Sequence, residues 1–240
     1  MQRRSEPHDS LDDFPTPPWA TRALCEYLNN YLQKWSYFYK QTAREPAANR
    51  GHMVRPLRDY FGNVEASDIH DYGAGFEVKD YLFGPPPPPV DWTITNPPFR
   101  LAQQFIERGL ETSNIGVAVL VRSAFLEGKA RYQGLFSKHR PSLVLQFTER
   151  VVIHKGKLSA NGSTATAYSW IIFEKACVGM TIFDWIEPCR KRLERLEDYG
   201  RYEVTGDVES LDAAQRHQIE QDRITEDEAL RYGFMFEVTE

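Results

Sequence analysis

Apolar residues recur along the chain in two alternating patterns, one suited to helices and one to buried strands. From Trp19 to Tyr31 they follow helical spacing, which predicts a first helix capped by Thr16 or Asp13 and running to about Leu32. Further helices are predicted at residues 51–61 and 100–112, and strands at residues 41–45, 64–69, 92–95, 115–122, 143–147 and 167–173. Strands that alternate with helices predict an α/β protein with a mostly parallel sheet flanked by helices.

The strand predicted before residue 96 ends in the tetrapeptide Asn96-Pro97-Pro98-Phe99. Proline lacks a backbone N–H, so two in succession end the strand and fix a loop at its carboxyl end. Such a loop presents two rigid hydrogen-bond acceptors, the Asn96 side-chain oxygen and the Pro97 carbonyl, beside the flat ring of Phe99. These groups suit an exocyclic amino group on an aromatic base, and the tetrapeptide is the strongest chemical signal in the sequence.

Four further segments accompany the tetrapeptide in a definite order. They are Phe14–Thr21, Arg44–Gly51, Val64–Ile69 and Lys79–Leu82. With the tetrapeptide they resemble the motifs of DNA N6-adenine methyltransferases, cofactor motifs first and catalytic motif after, over about residues 11–175. The resemblance implies the Rossmann-like class I methyltransferase fold, with a mostly parallel seven-stranded sheet flanked by helices, and S-adenosylmethionine as the cofactor.

The resemblance also implies roles for individual residues. The residues implied in catalysis are Asn96, Pro97, Pro98 and Phe99. The residues implied in cofactor binding are Thr16, Glu45, Pro46, Ala47, Asn49, Gly51, Asp68, Ile69 and Asp80. Family members usually have glycine where this chain has Asn49. Because asparagine is the next residue most willing to adopt positive φ, we expect the loop conformation to survive, with cofactor affinity the property at stake.

The reaction implied is a direct in-line methyl transfer to adenine N6. The N6 lone pair is delocalised into the ring, and two acceptors on its N–H bonds would favour a more tetrahedral nitrogen. Positioning and electrostatic matching then supply most of the acceleration, without a covalent enzyme intermediate. Because N6 is out of reach inside a duplex, the base must be flipped out, with Phe99 as its stacking platform.

A basic segment at residues 148–166 is the predicted substrate loop. His154, Lys155 and Lys157 precede a run of small polar residues, which suits a loop that meets phosphates and orders only on binding DNA. An ordinary β-hairpin with an Asn-Gly turn is the alternative. Arg122, at the end of a predicted strand, lines the target-base pocket or serves only in packing. The predicted substrate-binding residues are Phe99, Arg122, His154, Lys155 and Lys157.

Charge divides the chain of 240 residues, whose formal net charge is −5. Residues 197–240 hold 13 acidic and 4 basic residues, so the remainder carries a net charge of +4. We therefore predict a methyltransferase domain at residues 1–190 and, at residues 191–240, a charged, mainly acidic tail that is helical or partly disordered. The mildly basic body is compatible with DNA as the partner.

Composition favours a cytoplasmic protein without membrane or metal partners. The amino terminus has no apolar signal region, and the longest apolar stretch, Ile115 to Val121, is too short to span a bilayer. The three cysteines have neither C-x-x-C spacing nor a partnering histidine cluster, so no metal site is expected.

Three readings of the tetrapeptide stay open. A protein-glutamine or RNA methyltransferase would also grip an amide or amine with it, although Phe14-Pro15-Thr16-Pro17 favours the DNA enzymes. The third reading is a DNA-binding relative of these enzymes that Asn49 has made inactive. The chain lacks a target-recognition domain of the usual size, so we expect a short site, or recognition that depends on a homodimer. The likeness is to enzymes of bacterial or phage type.

Overall fold

The structure is a computed structural model and describes residues 12–31, 38–160, 162–176 and 179–200. Six α-helical segments are present in these residues: α1 (Pro18–Tyr31), α2 (Val54–Tyr60), α3 (Ala102–Thr112), α4 (Lys129–Arg131), α5 (Arg190–Leu193) and α6 (Glu197–Gly200). Short 3₁₀ turns lie at Phe38–Lys40 and Ser123–Leu126, and a π-helical turn at Tyr132–Phe136. Most of the predicted tail, at residues 201–240, lies outside the described residues.

The strands form one sheet. They are β1 (Thr42–Glu45), β2 (Asn63–Asp68), β3 (Glu77–Val78), β4 (Val90–Thr95), β5 (Ser113–Arg122), β6 (Leu143–Phe147), β7 (Tyr168–Glu174) and β8 (Ile182–Ile186). Their order is β3-β2-β1-β4-β5-β7-β6-β8, and β7 is antiparallel to both of its neighbours while the other pairs are parallel. The mostly parallel sheet is confirmed, but it has eight strands rather than the predicted seven, because β8 adds an edge beside β6.

Side-chain alternation along β5 produces two hydrophobic cores, one on each face of the sheet. Val117, Val119 and Val121 point into a core that includes α3 residues. Ala118 and Leu120 point into the other core, with residues of α1 and α2. Successive side chains of a strand face opposite sides of its sheet, so one apolar strand can serve both layers.

Helix α1 begins differently from the prediction. Its first residue is Pro18, a position where proline's missing N–H costs nothing. Neither predicted cap serves that role, because the Thr16 hydroxyl accepts a hydrogen bond from Asn96, and the Asp13 carboxylate accepts hydrogen bonds from Asn49 and Arg50. Both residues belong instead to a segment that crosses from the helix to the loops at the end of the sheet.

The sheet reverses its strand order between β1 and β4. Ala43 of β1 pairs with Val64 of β2 on one side and with Trp92 of β4 on the other, both in parallel. In open α/β sheets, ligands bind outside the carboxyl ends of the strands at such a switch point. The loops that follow β1 and β4 begin at Pro46 and Asn96, so two of the predicted motifs meet there.

Helix α3 packs unusually closely on the sheet. A Cβ atom added to Gly109 would approach Cγ2 of Val117 to 2.9 Å, which is nearer than real side chains come. Glycine here lets α3 lie against β5. This contact fixes the helix that directly follows the Asn96–Phe99 loop, and so helps to fix the loop.

Residues beyond the predicted domain boundary at 190 belong to the folded body. Arg22 of α1 donates from Nη1 and Nη2 to the two carboxylate oxygens of Asp198, each at 2.7 Å. Both side chains are almost fully buried. Tyr199 packs against Leu158 and Ala160. The folded part therefore extends through α6.

The predicted substrate loop is largely packed rather than free-standing. Val151 and Ile153 join the core beneath α1 and α2, and Leu158 is also buried. An isolated antiparallel bridge joins His154 and Lys157. In its described residues the segment 148–166 is therefore packed against the core, and the Asn-Gly turn of the alternative hairpin, at 161–162, lies partly outside the described residues.

The described residues contain neither a membrane-spanning helix nor a cluster of metal ligands. None of the helices there is long and apolar enough to cross a membrane. Nor does that part of the chain gather three or more histidine, cysteine, aspartate or glutamate side chains in a metal-binding arrangement.

Candidate active site

A cavity of about 160 Å³ opens at the carboxyl ends of β1, β2 and β4. Its walls come from the four segments singled out in the sequence and from the tetrapeptide. Predicted site residues that line it are Thr16, Pro46, Ala47, Asn49, Asp68, Ile69, Asp80, Asn96 and Pro98. Tyr72, Tyr81, Leu101 and Phe105 add apolar and aromatic surface. A mixed lining of carboxylates and aromatic rings suits a nucleoside with polar substituents.

The loop after β1 adopts the conformation that glycine would favour. Asn49 has φ of 50° and is the only non-glycine residue in the described part of the chain with positive φ. The loop conformation expected at Asn49 is thus confirmed. Its backbone N–H donates to Asp68 Oδ2 at 2.8 Å, while Asp68 Oδ1 accepts from the His70 N–H at 3.0 Å. The Asp68 carboxylate is thereby held in one orientation at the cavity wall.

Two predicted cofactor residues do not line the cavity. Glu45 is fully buried, and its Oε1 accepts a hydrogen bond from the Ala47 N–H at 2.9 Å. Burial, together with the nearby charge of Asp68, raises the pKa of Glu45 to about 8. Gly51 has φ of 84° and shapes the turn into α2. Both residues lie behind the loop, outside the lining of the cavity.

The segment Asp12–Thr16, here called the strap, ties the loops of the site together. Asp13 accepts two hydrogen bonds from the Arg50 guanidinium, at 2.9 and 3.0 Å, and one from Asn49 Nδ2 at 2.8 Å. These bonds outweigh the effect of burial and lower the pKa of the Asp13 carboxyl. The Asp13 carbonyl accepts from the Gly156 N–H, which joins the strap to the substrate loop. No pattern in the sequence indicated these links.

Asn96 is held by its amide nitrogen. Nδ2 donates to the Phe14 carbonyl at 3.1 Å and to the Thr16 hydroxyl at 2.9 Å. A carbonyl can only accept, so the amide must present nitrogen to the strap and direct its oxygen elsewhere. Asn96 Oδ1 is buried and has no hydrogen-bond partner among the described residues. An unsatisfied buried acceptor is costly, and an incoming N–H would satisfy it.

The rest of the tetrapeptide is equally constrained. Pro97 is buried, and no described residue donates a hydrogen bond to its carbonyl. The Pro98 carbonyl accepts from the Leu101 N–H, which turns the chain into α3. The Phe99 N–H donates to Asp12 Oδ2 at 3.0 Å, so the strap also grips the end of the loop.

Phe99 lies between other rings and charges. The Phe99 ring centroid is 5.1 Å from that of Phe14, and the Arg122 guanidinium lies over the Phe99 ring, 4.3 Å from its centroid. Phe99 and Arg122 line a second cavity, of about 220 Å³, whereas Asn96 and Pro98 line the first. The tetrapeptide thus has one end at each cavity.

His52 is a cavity residue that the sequence did not suggest. It is buried, and burial together with the charges of Arg55 and Arg50 lowers the pKa of its imidazole to about 3. The ring is therefore neutral at physiological pH. His154, Lys155 and Lys157 lie outside the linings of both cavities. Their link to the site is the hydrogen bond from Gly156 to Asp13.

No protein-family model matches the chain. No curated protein sequence matches it either. Solved structures do resemble it. A modification subunit of a candidate type I restriction enzyme from Vibrio vulnificus aligns with a TM-score of 0.52 and 15% identity, over 76% of this chain and 49% of that one. The chain thus spans about half the length of that subunit.

Two further structures align comparably. A candidate RNA methyltransferase from Pyrococcus horikoshii has a TM-score of 0.53 and 16% identity, over 74% of this chain and 93% of that one. The type IIG restriction endonuclease BpuSI has a TM-score of 0.52 and 13% identity, over 75% of this chain and 28% of that one. Identities this low show a common fold. The protein has the Rossmann-like fold of class I methyltransferases.

Proposed function

We propose that this protein is an S-adenosylmethionine-dependent methyltransferase that acts on the exocyclic N6 amine of adenine in DNA. The observation that carries the proposal is the state of Asn96. Its amide nitrogen is bound by Phe14 and Thr16, and its buried oxygen has no hydrogen-bond partner in the described structure. An acceptor held in this way is prepared for an amino group and would need no rearrangement to receive one.

The first cavity supports the cofactor assignment. S-adenosylmethionine would supply the methyl group as an electrophilic sulfonium methyl. Asp68 would accept hydrogen bonds from the ribose hydroxyls, since it stands at the end of β2 with its carboxylate oriented by two backbone N–H groups. Ile69 and Asp80 would contact the adenine, and the loop of Pro46, Ala47 and Asn49 would surround the methionine portion.

The tetrapeptide would then orient the target amine. Asn96 Oδ1 and the Pro97 carbonyl would each accept one N–H of adenine N6, so that its lone pair faces the methyl group. These two acceptors would hold N6 in line with the methyl group that the cofactor supplies, while N6 would give up one of its protons to solvent. The side chains supply position and charge stabilisation and form no covalent bond to the substrate.

DNA is favoured over a protein substrate by the surroundings of Phe99. A flipped base needs a flat ring to stack on and cations nearby for its backbone. Phe99 supplies the ring, and Arg122 stands over it. A glutamine amide would use the same acceptors but would have no use for the ring or the charge.

One assay tests the proposal against the alternatives of RNA adenine, protein glutamine or no transfer at all. Purified protein is incubated with methyl-labelled S-adenosylmethionine and, separately, with DNA, RNA and protein pools, and products are identified by mass spectrometry. We expect N6-methyladenine in DNA. Label only in RNA or in glutamine would move the activity to that substrate, and no label in any pool would favour an inactive relative.

Two variants connect the activity to the tetrapeptide. Asn96→Ala and Phe99→Ala should leave cofactor binding within about a few-fold while lowering methyl transfer by orders of magnitude, because both act on the target amine. Asn63→Ala is the matched control, since Asn63 is exposed at the start of β2, at the opposite end of the strand from Asp68. Unchanged turnover in both tetrapeptide variants would end the catalytic assignment.

A further inference from the structure

The second cavity is lined by two arginines and by apolar residues, without any acidic side chain. Phe99 contributes one aromatic ring and Phe125 another. The cavity lies at the end of β5, whose last residue is Arg122. It therefore lies on the opposite side of the tetrapeptide from the proposed cofactor cavity.

Arg122 stacks on Phe99 at one wall of the cavity. Its guanidinium lies 4.3 Å from the Phe99 ring centroid. Arg122 also pairs in the sheet with Tyr168 of the neighbouring strand β7, a buried residue, and its positive charge opposes the rise in the Tyr168 pKa that burial causes. Stacking on the Phe99 ring fixes the direction of the charge, while the Arg122 residue as a whole stays exposed to incoming ligands.

Arg131 is held at the other wall by stacking and by hydrogen bonds. Its guanidinium lies 4.1 Å from the centroid of the Phe125 ring. Nη1 donates to the Phe125 carbonyl at 2.8 Å and to the Glu127 carbonyl at 2.5 Å. Gly128, with φ of 110°, makes the turn that brings Arg131 back onto this ring. Both protein hydrogen bonds use Nη1, so Nη2 and Nε remain as donors for a ligand.

The charge of this cavity is uncompensated within the described chain. Neither Arg122 nor Arg131 forms an ion pair with a carboxylate among those residues. Two guanidinium groups in one partly apolar cavity repel each other, and an anion between them would remove that cost. The aromatic walls indicate that the anion belongs to a molecule that also has flat, apolar surface.

We infer that Arg122 and Arg131 form a phosphate-binding subsite for the backbone of the target nucleotide, beside the base that stacks on Phe99. The inference rests on the proposed function, because it takes DNA as the ligand and Phe99 as the base platform. It adds a residue, Arg131, that no sequence motif marks. A guanidinium binds phosphate through paired N–H donors, which explains arginine rather than lysine at both positions.

The test measures binding rather than transfer, so that its result is independent of catalysis. Full-length protein is saturated with S-adenosylhomocysteine to fill the first cavity. It is titrated with labelled duplexes that carry one adenine opposite an abasic site, which makes flipping easy. In a series of duplexes, a single neutral methylphosphonate replaces each phosphate around that adenine in turn. Fluorescence anisotropy gives the dissociation constant of each duplex.

For the unsubstituted protein we expect one or two positions beside the adenine at which the neutral linkage weakens binding by about 10-fold or more, as for lost hydrogen bonds to a charged group. In Arg131→Gln and in Arg122→Gln the penalty at those positions should largely disappear, because the partner has already been removed. Arg140→Gln is the matched control. Arg140 is exposed and donates to the Gly179 carbonyl, outside this cavity, so its loss removes the same charge but should keep the positional penalty.

Penalties that are equal at every position, or that persist in full in both cavity variants, would overturn the subsite, as would failure of the protein to bind any duplex. Circular dichroism shows whether each variant is folded, and the two cavity variants, Arg122→Gln and Arg131→Gln, serve as independent tests of the same subsite. Failure of the proposed function looks different: a positional penalty that depends on Arg131, with no methyl transfer to DNA, would leave the subsite standing and remove the activity.

Discussion

The hydroxyl of Thr16 accepts a hydrogen bond from the side-chain amide of Asn96 at 2.9 Å, across 80 positions of sequence. With the Phe14 carbonyl, this bond decides which end of the amide faces the cavity. Thr16 is therefore a positioning residue for Asn96 as well as part of the cofactor wall. The orientation of the proposed catalytic acceptor depends on a segment that precedes the first helix.

Replacing Thr16 with valine should lower the turnover number several-fold. Valine has nearly the same shape as threonine but lacks the hydroxyl that accepts the Asn96 hydrogen bond, and such a bond contributes about 0.5–1.5 kcal/mol. The dissociation constant of S-adenosylhomocysteine should change less than the turnover number. Steady-state kinetics and calorimetry measure the two effects. Thr21→Val is the matched control, since the Thr21 hydroxyl is buried without a hydrogen-bond partner in the described chain. Equal losses in both variants would contradict the positioning role.

Replacing Asp68 with alanine should weaken cofactor binding by about 1.5–3 kcal/mol, as expected for hydrogen bonds to a charged acceptor. Asp68 also holds the Asn49 and His70 N–H groups, so part of the loss comes from the loop. Calorimetric titration gives the dissociation constant. Asp71→Ala removes an exposed carboxylate nearby that accepts from Gly73 and should have little effect. An unchanged dissociation constant for Asp68→Ala would reduce this residue to a turn former.

The Asn49 substitution combines two opposing effects. Asn49→Gly relieves the backbone at φ of 50° but removes the hydrogen bond from Nδ2 to Asp13. We expect a few-fold weaker cofactor binding, because hydrogen bonds to charged groups outweigh the small cost of positive φ in asparagine. In an Asp13→Ala background, Asn49→Gly should leave cofactor binding unchanged or strengthen it. Additive effects of the two substitutions would show that the Asp13 contact does not matter for binding.

Glu45 should make the stability of the fold depend on pH. Burial raises its pKa to about 8 in the folded chain, whereas the ordinary value is 4.5. Between these values the folded state holds a proton that the unfolded state has released, so stability falls as pH rises through this window. Glu45→Gln should flatten that fall while retaining an acceptor for the Ala47 N–H.

Thermal unfolding at several pH values between about 5 and 8 tests the Glu45 prediction as a difference between the two proteins. The comparison is needed because His52, with its pKa lowered to about 3, acts in the opposite direction below its ordinary value of 6.5. Parallel profiles for the original and substituted proteins would mean that Glu45 does not carry the proton.

Local patterns were sufficient for most strands and not for β8. The predicted strand at 143–147 has the observed bounds, because it is apolar and enclosed on both faces. Strand β8 was missed because Ile182, Phe183 and Trp185 are exposed along a sheet edge, where burial imposes no alternation. Its pairing with β6 is a tertiary contact that the segment's own sequence does not reveal.

The candidate site, like the fold, was predicted from the sequence only in part. The positive φ at Asn49 follows from its place in a glycine-like loop, and it was predicted correctly. The links of Asp12 and Asp13 were not foreseen, because two carboxylates before a helix suit capping equally well. Their partners, Phe99 and Arg50, are distant in sequence and come within reach only when the sheet has formed.

The buried ion pair between Arg22 and Asp198 has a practical consequence for shortening the chain. A truncation at the predicted boundary, or at Glu197, removes the carboxylate and strands a guanidinium inside the helical layer, a loss typically of about 3–5 kcal/mol. The loss would destabilise α1, and the residues just before α1 are the ones that bind Asn96. A tail deletion meant to probe electrostatics alone should therefore keep every residue through Tyr199; a shorter product would report on unfolding instead.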